Sequence, residues 1–423
     1  MAEPSQWAPM TRRPQRLSTG KGQEKRRGPA ASNLLPRIGR ISIAMFLALR
    51  DLVFAKGRFL LMAVVIVMMA LMMVLLTGLS SGLVDRNISG IRALPITHLA
   101  FEYDDKPTWS NSMVERAMWD GWADRPGVTT STQLGNTMFN ARTSKGEPIT
   151  LALWGMEPGS FIDPGADAGQ PIGGDPYGVV VSRMLVAENN VEIGDTIVLD
   201  RVLTELRVVG LLDAHNNIAH TPIVYAPFSL WAEASYGPPG GPPEGESLPD
   251  ILYDFATVVA LQLEETTDIA SIDEELFTVA LDKPMSFVAS TGYKAERDSV
   301  RINQGFLLVI ATLIIGAFFS IWTIQRTQEI GLIKALGAST GYLVRDALGQ
   351  VSLLLAVAVT CGVGIGYGLG DLIVERTDIP YVIDIRAMLI SGALVIGGGL
   401  VGAVLAVRRI ARIDPIIALG QLR

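Results

Sequence analysis

Four long apolar segments dominate the pattern of hydrophobic and polar positions in this 423-residue chain. The first, Leu60–Leu76, has seventeen residues without one polar side chain. Each segment is long enough to cross the roughly 30 Å hydrocarbon core of a bilayer as a helix. The first is longer than the apolar part of a signal peptide and has no small-residue cleavage motif, so it is predicted to be an uncleaved anchor. The predicted transmembrane helices are 59–83, 302–325, 348–369 and 387–407.

A long insertion, 84–300, separates the first two spans and mixes strand-like runs with turns. The clearest strands are Val179–Val181, Thr196–Leu199, Leu206–Leu211 and a hairpin that turns at Lys145-Gly146. Asp268–Leu281 is predicted to be a helix with a capping acid at its start, and Gly237–Pro249 to be a loop. The predicted fold is an α-helical membrane protein with four transmembrane helices and an α+β extracellular domain inserted between the first and second.

Charge is distributed unevenly and sets the predicted orientation. Residues 1–58 hold twelve Lys and Arg against three Asp and Glu, whereas residues 84–298 hold thirteen against thirty-two. Basic loops stay in the cytoplasm, so both termini are predicted to be cytoplasmic and the insertion extracellular, in the cell membrane. The remaining predicted segments are a disordered basic arm (1–40), an amphipathic interfacial helix (41–58), an extracellular loop (370–386) and a cytoplasmic tail (408–423).

Composition also limits the chemistry that the chain can carry out. Gly20-Lys21 is followed by Gly22 rather than Ser or Thr, so no phosphate-binding loop is present. His215 and His220 could form a metal pair, but without a third ligand nearby a loop role is the better interpretation, and neither a metal site nor a catalytic group is predicted. The spans carry no mid-bilayer charge that would serve as a proton relay. The basic arm is predicted to lie near anionic lipid rather than to bind nucleic acid.

Small residues recur at helical spacing in the last two spans. Gly362, Gly366 and Gly370 are four residues apart in the third span, as are Gly398 and Gly402 in the fourth. Glycines at this spacing allow helices to approach closely in lipid. These residues are predicted to pack helices within or between subunits.

A polar segment, RTQEIGLIKALGAS, follows the second span and begins at Arg326. A charged helix between two spans cannot lie in lipid, so this coupling segment (326–345) is predicted at the cytoplasmic face. Ile330, Ile333 and Leu336 form an apolar edge able to enter a groove on another protein. The segment resembles the region of MacB/FtsX-type ABC transporter permeases that docks on the ATPase. The positions that match are Arg326, Glu329, Ile330, Gly331, Lys334, Ala335, Leu336, Gly337 and Ala338, with Asp414 and Pro415 near the C-terminus.

This resemblance implies two copies of the chain, two ABC ATPase subunits that bind ATP and Mg, no ATPase site in the chain itself, and transport by mechanotransmission. The methionine-rich first span is most similar to the haem-exporting HrtB/DevC-like branch of these permeases, which implies haem as a transported substrate and no covalently bound cofactor. As flexible apolar side chains the methionines also fit ordinary lipid-facing or core positions, whereas their thioethers can ligate haem iron. The candidate substrate contacts are Met69, Met73, Asp85 and His98.

Two other functions fit the same sequence. FtsX-type relatives regulate an extracellular cell-wall hydrolase without transporting anything, and the acidic insertion could contact such a partner. Other members of the family export lipoproteins or peptides. A membrane-bound enzyme is not supported, because the sequence offers no catalytic constellation.

Overall fold

The computed structural model describes residues 56–240, 248–377 and 379–411. Within these ranges the helices α1 to α10 are Lys56–Ala93, Arg116–Ala123, Arg183–Asn189, Phe228–Tyr236, Ile269–Leu276, Lys283–Ser286, Tyr293–Gln325, Thr327–Ala335, Thr340–Arg376 and Ile385–Ala411. The strands β1 to β13 are His98–Glu102, Val114–Glu115, Val128–Thr143, Pro148–Met156, Ala168–Gly169, Gly178–Ser182, Thr196–Leu199, Glu205–Leu212, Asn217–Ile218, Thr221–Pro227, Phe255–Ala256, Val258–Leu263 and Thr278–Asp282.

Four helices, α1, α7, α9 and α10, are long and apolar enough to span a membrane. The predicted fold class is confirmed, because strands and short helices fill the chain between α1 and α7. Both flanking helices are longer than predicted: α1 continues ten residues past 83, and α7 begins nine residues before 302. With 38 residues, α1 is about 57 Å long, nearly twice a bilayer core. The excess carries both helices out of the bundle into the inserted domain.

Glycines bring the bundle helices into backbone contact. A Cβ atom on Gly362 would lie 2.7 Å from the Val67 carbonyl oxygen, and one on Gly366 would lie 2.7 Å from Val74, so α9 packs tightly on α1. On α10, Gly398 is close to Thr312 and Leu308 of α7, and a Cβ on Gly402 would overlap the Thr312 carbonyl. Gly370 faces the ring of Tyr381, which lies between α9 and α10.

Gly402→Ala is expected to destabilise the bundle by roughly 1–3 kcal/mol, because the Thr312 carbonyl that the new methyl group meets is backbone and cannot rotate away. The measurement is thermal unfolding of the purified chain in detergent. Gly397→Ala is the matched control, since a Cβ there has no atom within 4 Å. Equal melting temperatures for the two variants would contradict the close approach of α7 and α10.

A polar contact also connects three of the spans near the inserted domain. The hydroxyl oxygens of Thr77 and Ser391 are 2.8 Å apart, and Gln304 Nε2 donates to Thr77 Oγ1 at 3.2 Å. Thr77 additionally bonds the Met73 carbonyl of its own helix at 2.7 Å. Because polar side chains in a bilayer must find partners within the protein, this contact fixes α1 against α7 and α10.

The inserted domain is built on an eleven-stranded mixed sheet with the order β13-β1-β12-β3-β4-β10-β6-β8-β5, to which β7 and β9 add at the side. Strand β4 is buried on both faces, and its residues alternate between two cores. Leu153 joins α2, α4 and α5 on one face, and Trp154 joins the end of α1 on the other. The sheet is therefore covered by short helices on one side and by the first membrane helix on the other.

Trp231 of α4 packs directly against the backbone of two glycines in the sheet. Gly135 and Gly155 are register partners on β3 and β4, and a Cβ on either would overlap the Trp231 side chain. The indole N–H donates to Thr137 Oγ1 at 3.1 Å, which satisfies its polar atom. This contact aligns α4 across the centre of the sheet.

The strands predicted from the sequence are confirmed at β6, β7, β8 and the β3–β4 hairpin, whose turn has Gly146 at φ 82°. The helix predicted for Asp268–Leu281 is wrong at its end: α5 stops at Leu276, Phe277 takes a left-handed φ of 53°, and β13 follows. Asp268 does cap α5 by accepting from the Ser271 amide. The predictions for 1–40, for nearly all of 41–58, and for Asp414 and Pro415 concern residues outside the described ranges.

Candidate functional site

The coupling segment begins at a one-residue break between two helices. Arg326 ends α7 and precedes α8 with a backbone φ of −96°. Its Nε donates to Glu329 Oε2 at 2.7 Å, and its guanidinium carbon is 5.1 Å from the centre of the Trp322 ring. The arginine thus connects the last turn of α7 to the first turn of α8. This contact fixes the angle at which α8 leaves the span.

Helix α8 has one buried and one exposed apolar side. Ile330 is buried against Leu343 and Ala347 of α9 and Val407 of α10, and Gly331 beside it is also buried. On the other side Leu332 is 53% exposed, Ile333 is 39% exposed and Leu336 is 80% exposed. We call these three side chains the docking surface. Large apolar side chains grouped in this way on a polar segment outside the spans are a candidate interaction surface.

The end of α8 is closed by a left-handed glycine. Gly337 has φ 99°, which favours glycine, and its amide donates to the Lys334 carbonyl at 2.9 Å. The Ala338 amide donates to the Ile333 carbonyl at 3.1 Å, and Ser339 Oγ then caps α9 by accepting from the Tyr342 amide. Ala335 is exposed at the last turn of α8. The predicted coupling residues between 326 and 338 therefore lie together in one compact helix-turn-helix.

At the opposite end of α7 a buried asparagine joins the stalk, formed by the end of α1 and the start of α7 beyond the bundle, to the inserted domain. Asn87 of α1 is 0% exposed. Its Oδ1 accepts from Ser290 Oγ at 2.6 Å, and its Nδ2 donates to the Thr291 carbonyl at 3.1 Å. His220 Nε2 and Glu296 Oε1 are 2.7 Å apart, and Asn87 Nδ2 lies within 3.5 Å of both side chains. We call Asn87, His220, Ser290 and Glu296 the junction.

Backbone bonds strengthen the junction. The carbonyls of Arg86 and Asn87 accept from the amides of His220 and Ala219 at 3.0 and 2.9 Å. His220 and Ala219 both have left-handed φ angles, of 64° and 47°, which turn the loop onto α1. No sequence pattern predicts a role for Asn87 or Glu296, and the sequence predicts only a loop position for His220. The sequence feature that could have indicated the junction is an asparagine just beyond an apolar span.

The candidate substrate contacts are distributed along α1 and beyond it. Met73 is buried in the bundle, Met69 is half-buried, and the neighbouring Met68 and Met72 are each 51% exposed. Asp85 lies about 18 Å further along the helix, from the rise per residue, and pairs with Arg92 at 2.6 Å. Met69 and Met73 therefore lie apart from Asp85 on α1, and the three candidates on this helix do not form a single cluster.

His98 lies in β1, after α1 has ended. Its Nδ1 is 3.1 Å from Thr97 Oγ1. Burial lowers the pKa of His98 below its ordinary value, against the opposing charges of Asp282 and Asp273, so the ring is mainly neutral at pH 7. Among the described residues no three His, Cys, Asp or Glu side chains are grouped so as to hold a metal ion.

Two family models match this chain. The model of the MacB-like periplasmic core domain matches residues 59–278, just over half the chain, and that of the FtsX-like permease C-terminal region matches 304–415. A Staphylococcus epidermidis protein described as a hemin transport system permease, HrtB, is 24% identical over 89% of this chain and 99% of its own. The uncharacterised ABC transporter permease YknZ of Bacillus subtilis is 28% identical over 39% of this chain and 45% of its own.

Among solved structures, the periplasmic region of MacB from Actinobacillus actinomycetemcomitans aligns with 48% of this chain and 94% of its own, at 12% identity and a TM-score of 0.31. The relatives are permeases of ABC transporters, which work with an ATPase subunit. Together the two matched models cover most of the inserted domain and of the four spans. The chain is a multi-pass membrane protein that belongs to the MacB/FtsX family of ABC transporter permeases.

Proposed function

We propose that the chain is the permease subunit of an ATP-driven exporter that works by mechanotransmission. The observation that carries this proposal is the continuity of α7, a single helix of 33 residues and about 50 Å. One end of α7 adjoins the coupling segment through Arg326, and the other contributes Glu296 to the junction. A displacement of α8 is therefore passed to the inserted domain without an intervening loop.

The docking surface is the proposed contact with the ATPase. Two copies of the chain and two ATPase subunits form the exporter, and the ATPase carries ATP and Mg. The bundle end that holds α8 faces the cytoplasm, since Arg326, Lys334, Arg345 and Arg408 flank the spans there. ATP-driven closure of the ATPase dimer then favours one of two arrangements of the stalk, and its binding energy limits how far that equilibrium shifts.

Haem, or another hydrophobic molecule, is the proposed substrate. The hemin transport description of the HrtB relative and the methionines of α1 support this choice. Haem partitions into lipid, so it would enter from the side of the bundle. Met69 and Met73 would offer thioether ligands. Asp85, further along α1, and the neutral His98 ring, on β1, would contact the substrate beyond the bundle.

Adding haem to the purified chain with its ATPase in detergent is expected to give a saturable shift of the Soret band at one haem per dimer, reversed by ATP. The double variant Met69→Leu/Met73→Leu keeps side-chain volume but removes both thioethers, so its shift should be lost. Met285→Leu, at an exposed methionine of α6, is the control. No shift in the unchanged chain, with the ATPase still stimulated, would contradict haem export. A hydrolase regulator or a lipoprotein or peptide exporter would then be favoured.

A further inference from the structure

A groove of about 880 Å³ opens in the inserted domain beside the junction. Its volume is within the range of pockets that take drug-sized ligands. One wall comes from the sheet and α4, and the other from the loop at His220 and the start of α7 at Gly292 and Glu296. None of the residues that line the groove belongs to α1, so the groove is a separate site from the candidate methionines and the proposed membrane entry.

The charge lining the groove is acidic. Glu102 and Glu296 contribute carboxylates, and the described residues that line the groove include no Lys or Arg. Glu296 Oε1 contacts His220 Nε2, and Glu102 Oε2 accepts from the Met113 amide at 3.2 Å. The insertion as a whole also carries a large excess of Asp and Glu. This field attracts cations and repels carboxylate ligands.

The apolar part of the lining consists of aromatic rings and methionine side chains. The rings of Trp231 and Tyr236 meet edge to face, with centroids 5.6 Å apart. Met113 and Met138 remain nearly half exposed at 45% and 46%. Aromatic faces bind organic cations through their ring quadrupoles, and methionines adapt to ligands of irregular shape. Acidic and aromatic groups together favour a cation that also has apolar surface.

One polar atom in the lining has no partner. Trp109 is 4% exposed, and its Nε1–H makes no hydrogen bond within the part of the chain described here. The ring is held in place by stacking on Trp154, with centroids 5.7 Å apart and planes 5° from parallel. The nitrogen is also closed to solvent, so Trp109 contributes a rigid wall to the groove rather than a donor to a bound molecule.

We propose that this groove binds a lipophilic aromatic cation. The carboxylates neutralise the charge, and the Tyr236 ring together with the half-exposed Met113 and Met138 contacts the aromatic body. The proposal does not depend on haem export. Haem carries two carboxylate groups, which Glu102 and Glu296 would repel, so the groove selects a different ligand class from the proposed haem route.

Rhodamine 6G, a lipophilic aromatic cation, tests the proposal. We expect saturable binding to the full chain in nanodiscs, after subtraction of empty discs, measured by fluorescence anisotropy. Fluorescein, a related dye that is anionic, should not bind. Met138→Trp fills the groove and should weaken rhodamine binding at least about ten-fold. Met285→Trp, at an exposed methionine outside the lining, should leave it unchanged.

Glu102→Gln keeps the side-chain shape and removes one charge, so it should weaken rhodamine binding by roughly three- to ten-fold. Three results would overturn the proposal: no saturable binding above empty discs, equal affinity of the Met138→Trp and Met285→Trp variants, or fluorescein bound as tightly as rhodamine. Unchanged thermal unfolding of each variant shows that a loss of binding is local.

Discussion

Leu336→Asp is expected to uncouple the permease from its ATPase. Leu336 is 80% exposed and belongs to the docking surface, so an aspartate there leaves the fold intact but places a charge where the proposed contact buries an apolar side chain. A charge desolvated at the centre of an interface should weaken the complex by roughly 10- to 100-fold. The measurement is permease-stimulated ATP hydrolysis in nanodiscs, together with the affinity of the two subunits.

Leu203→Asp is the matched control for this change, because Leu203 is 58% exposed but lies in the inserted domain. Its ATPase stimulation should equal that of the unchanged chain. Ile330→Asp differs from both, since Ile330 packs against α9 and α10 and its loss should lower the melting temperature as well. If Leu336→Asp retained full stimulation, the ATPase would have to bind elsewhere on the chain.

Asn87→Leu is expected to break the connection between stalk and inserted domain. The substitution leaves Ser290 Oγ, the Thr291 carbonyl and Glu296 without their shared partner at a fully buried position. Loss of these bonds should cost roughly 2–4 kcal/mol of unfolding free energy. Transport should fall further than ATP hydrolysis, because ATPase docking at α8 is untouched while the output of α7 is lost.

The measurements for Asn87→Leu are thermal unfolding and the ratio of substrate transported to ATP hydrolysed. Asn140→Leu, at an exposed asparagine of the same domain outside the groove, is the control. A stable Asn87→Leu chain with a normal transport ratio would show that force does not pass through the junction. A proportional fall in both transport and hydrolysis would point instead to a general loss of folded protein.

Hydropathy was sufficient to predict the four spans. An uninterrupted apolar helix exposes apolar side chains to lipid and pairs its backbone polar groups within itself. It could not predict how far the helices extend beyond the bilayer. Residues 84–93 of α1 are polar enough to suggest a loop, yet Ile88 and Ile91 pack into the inserted domain and keep the helix intact. Phe277 is similar: a non-glycine residue in a left-handed conformation gives no local signal that α5 ends.

The two candidate sites also differ in how far the sequence predicts them. The coupling segment is visible in the sequence because its polarity is out of place between two spans. Its apolar edge was only partly interpretable: Ile330 and Leu336 are about 120° apart around a helix, wide enough for one to face inward and the other outward. The junction was invisible, because the partners of Asn87 are 133 to 209 residues away and no local pattern relates them.

The close approach of Gly402 to α7 makes that contact a natural fulcrum. Gly316, one turn from Thr312, meets the Gly402 backbone, and a Cβ there would lie 3.3 Å from the Gly402 carbonyl oxygen. From Gly316, Arg326 is about 15 Å along the helix and Glu296 about 30 Å in the other direction. A rigid α7 that pivoted at this point would be a lever with a mechanical advantage of about one half. A push of about one ångström at the coupling-segment end would become a swing of about two ångströms at the junction, in the opposite direction.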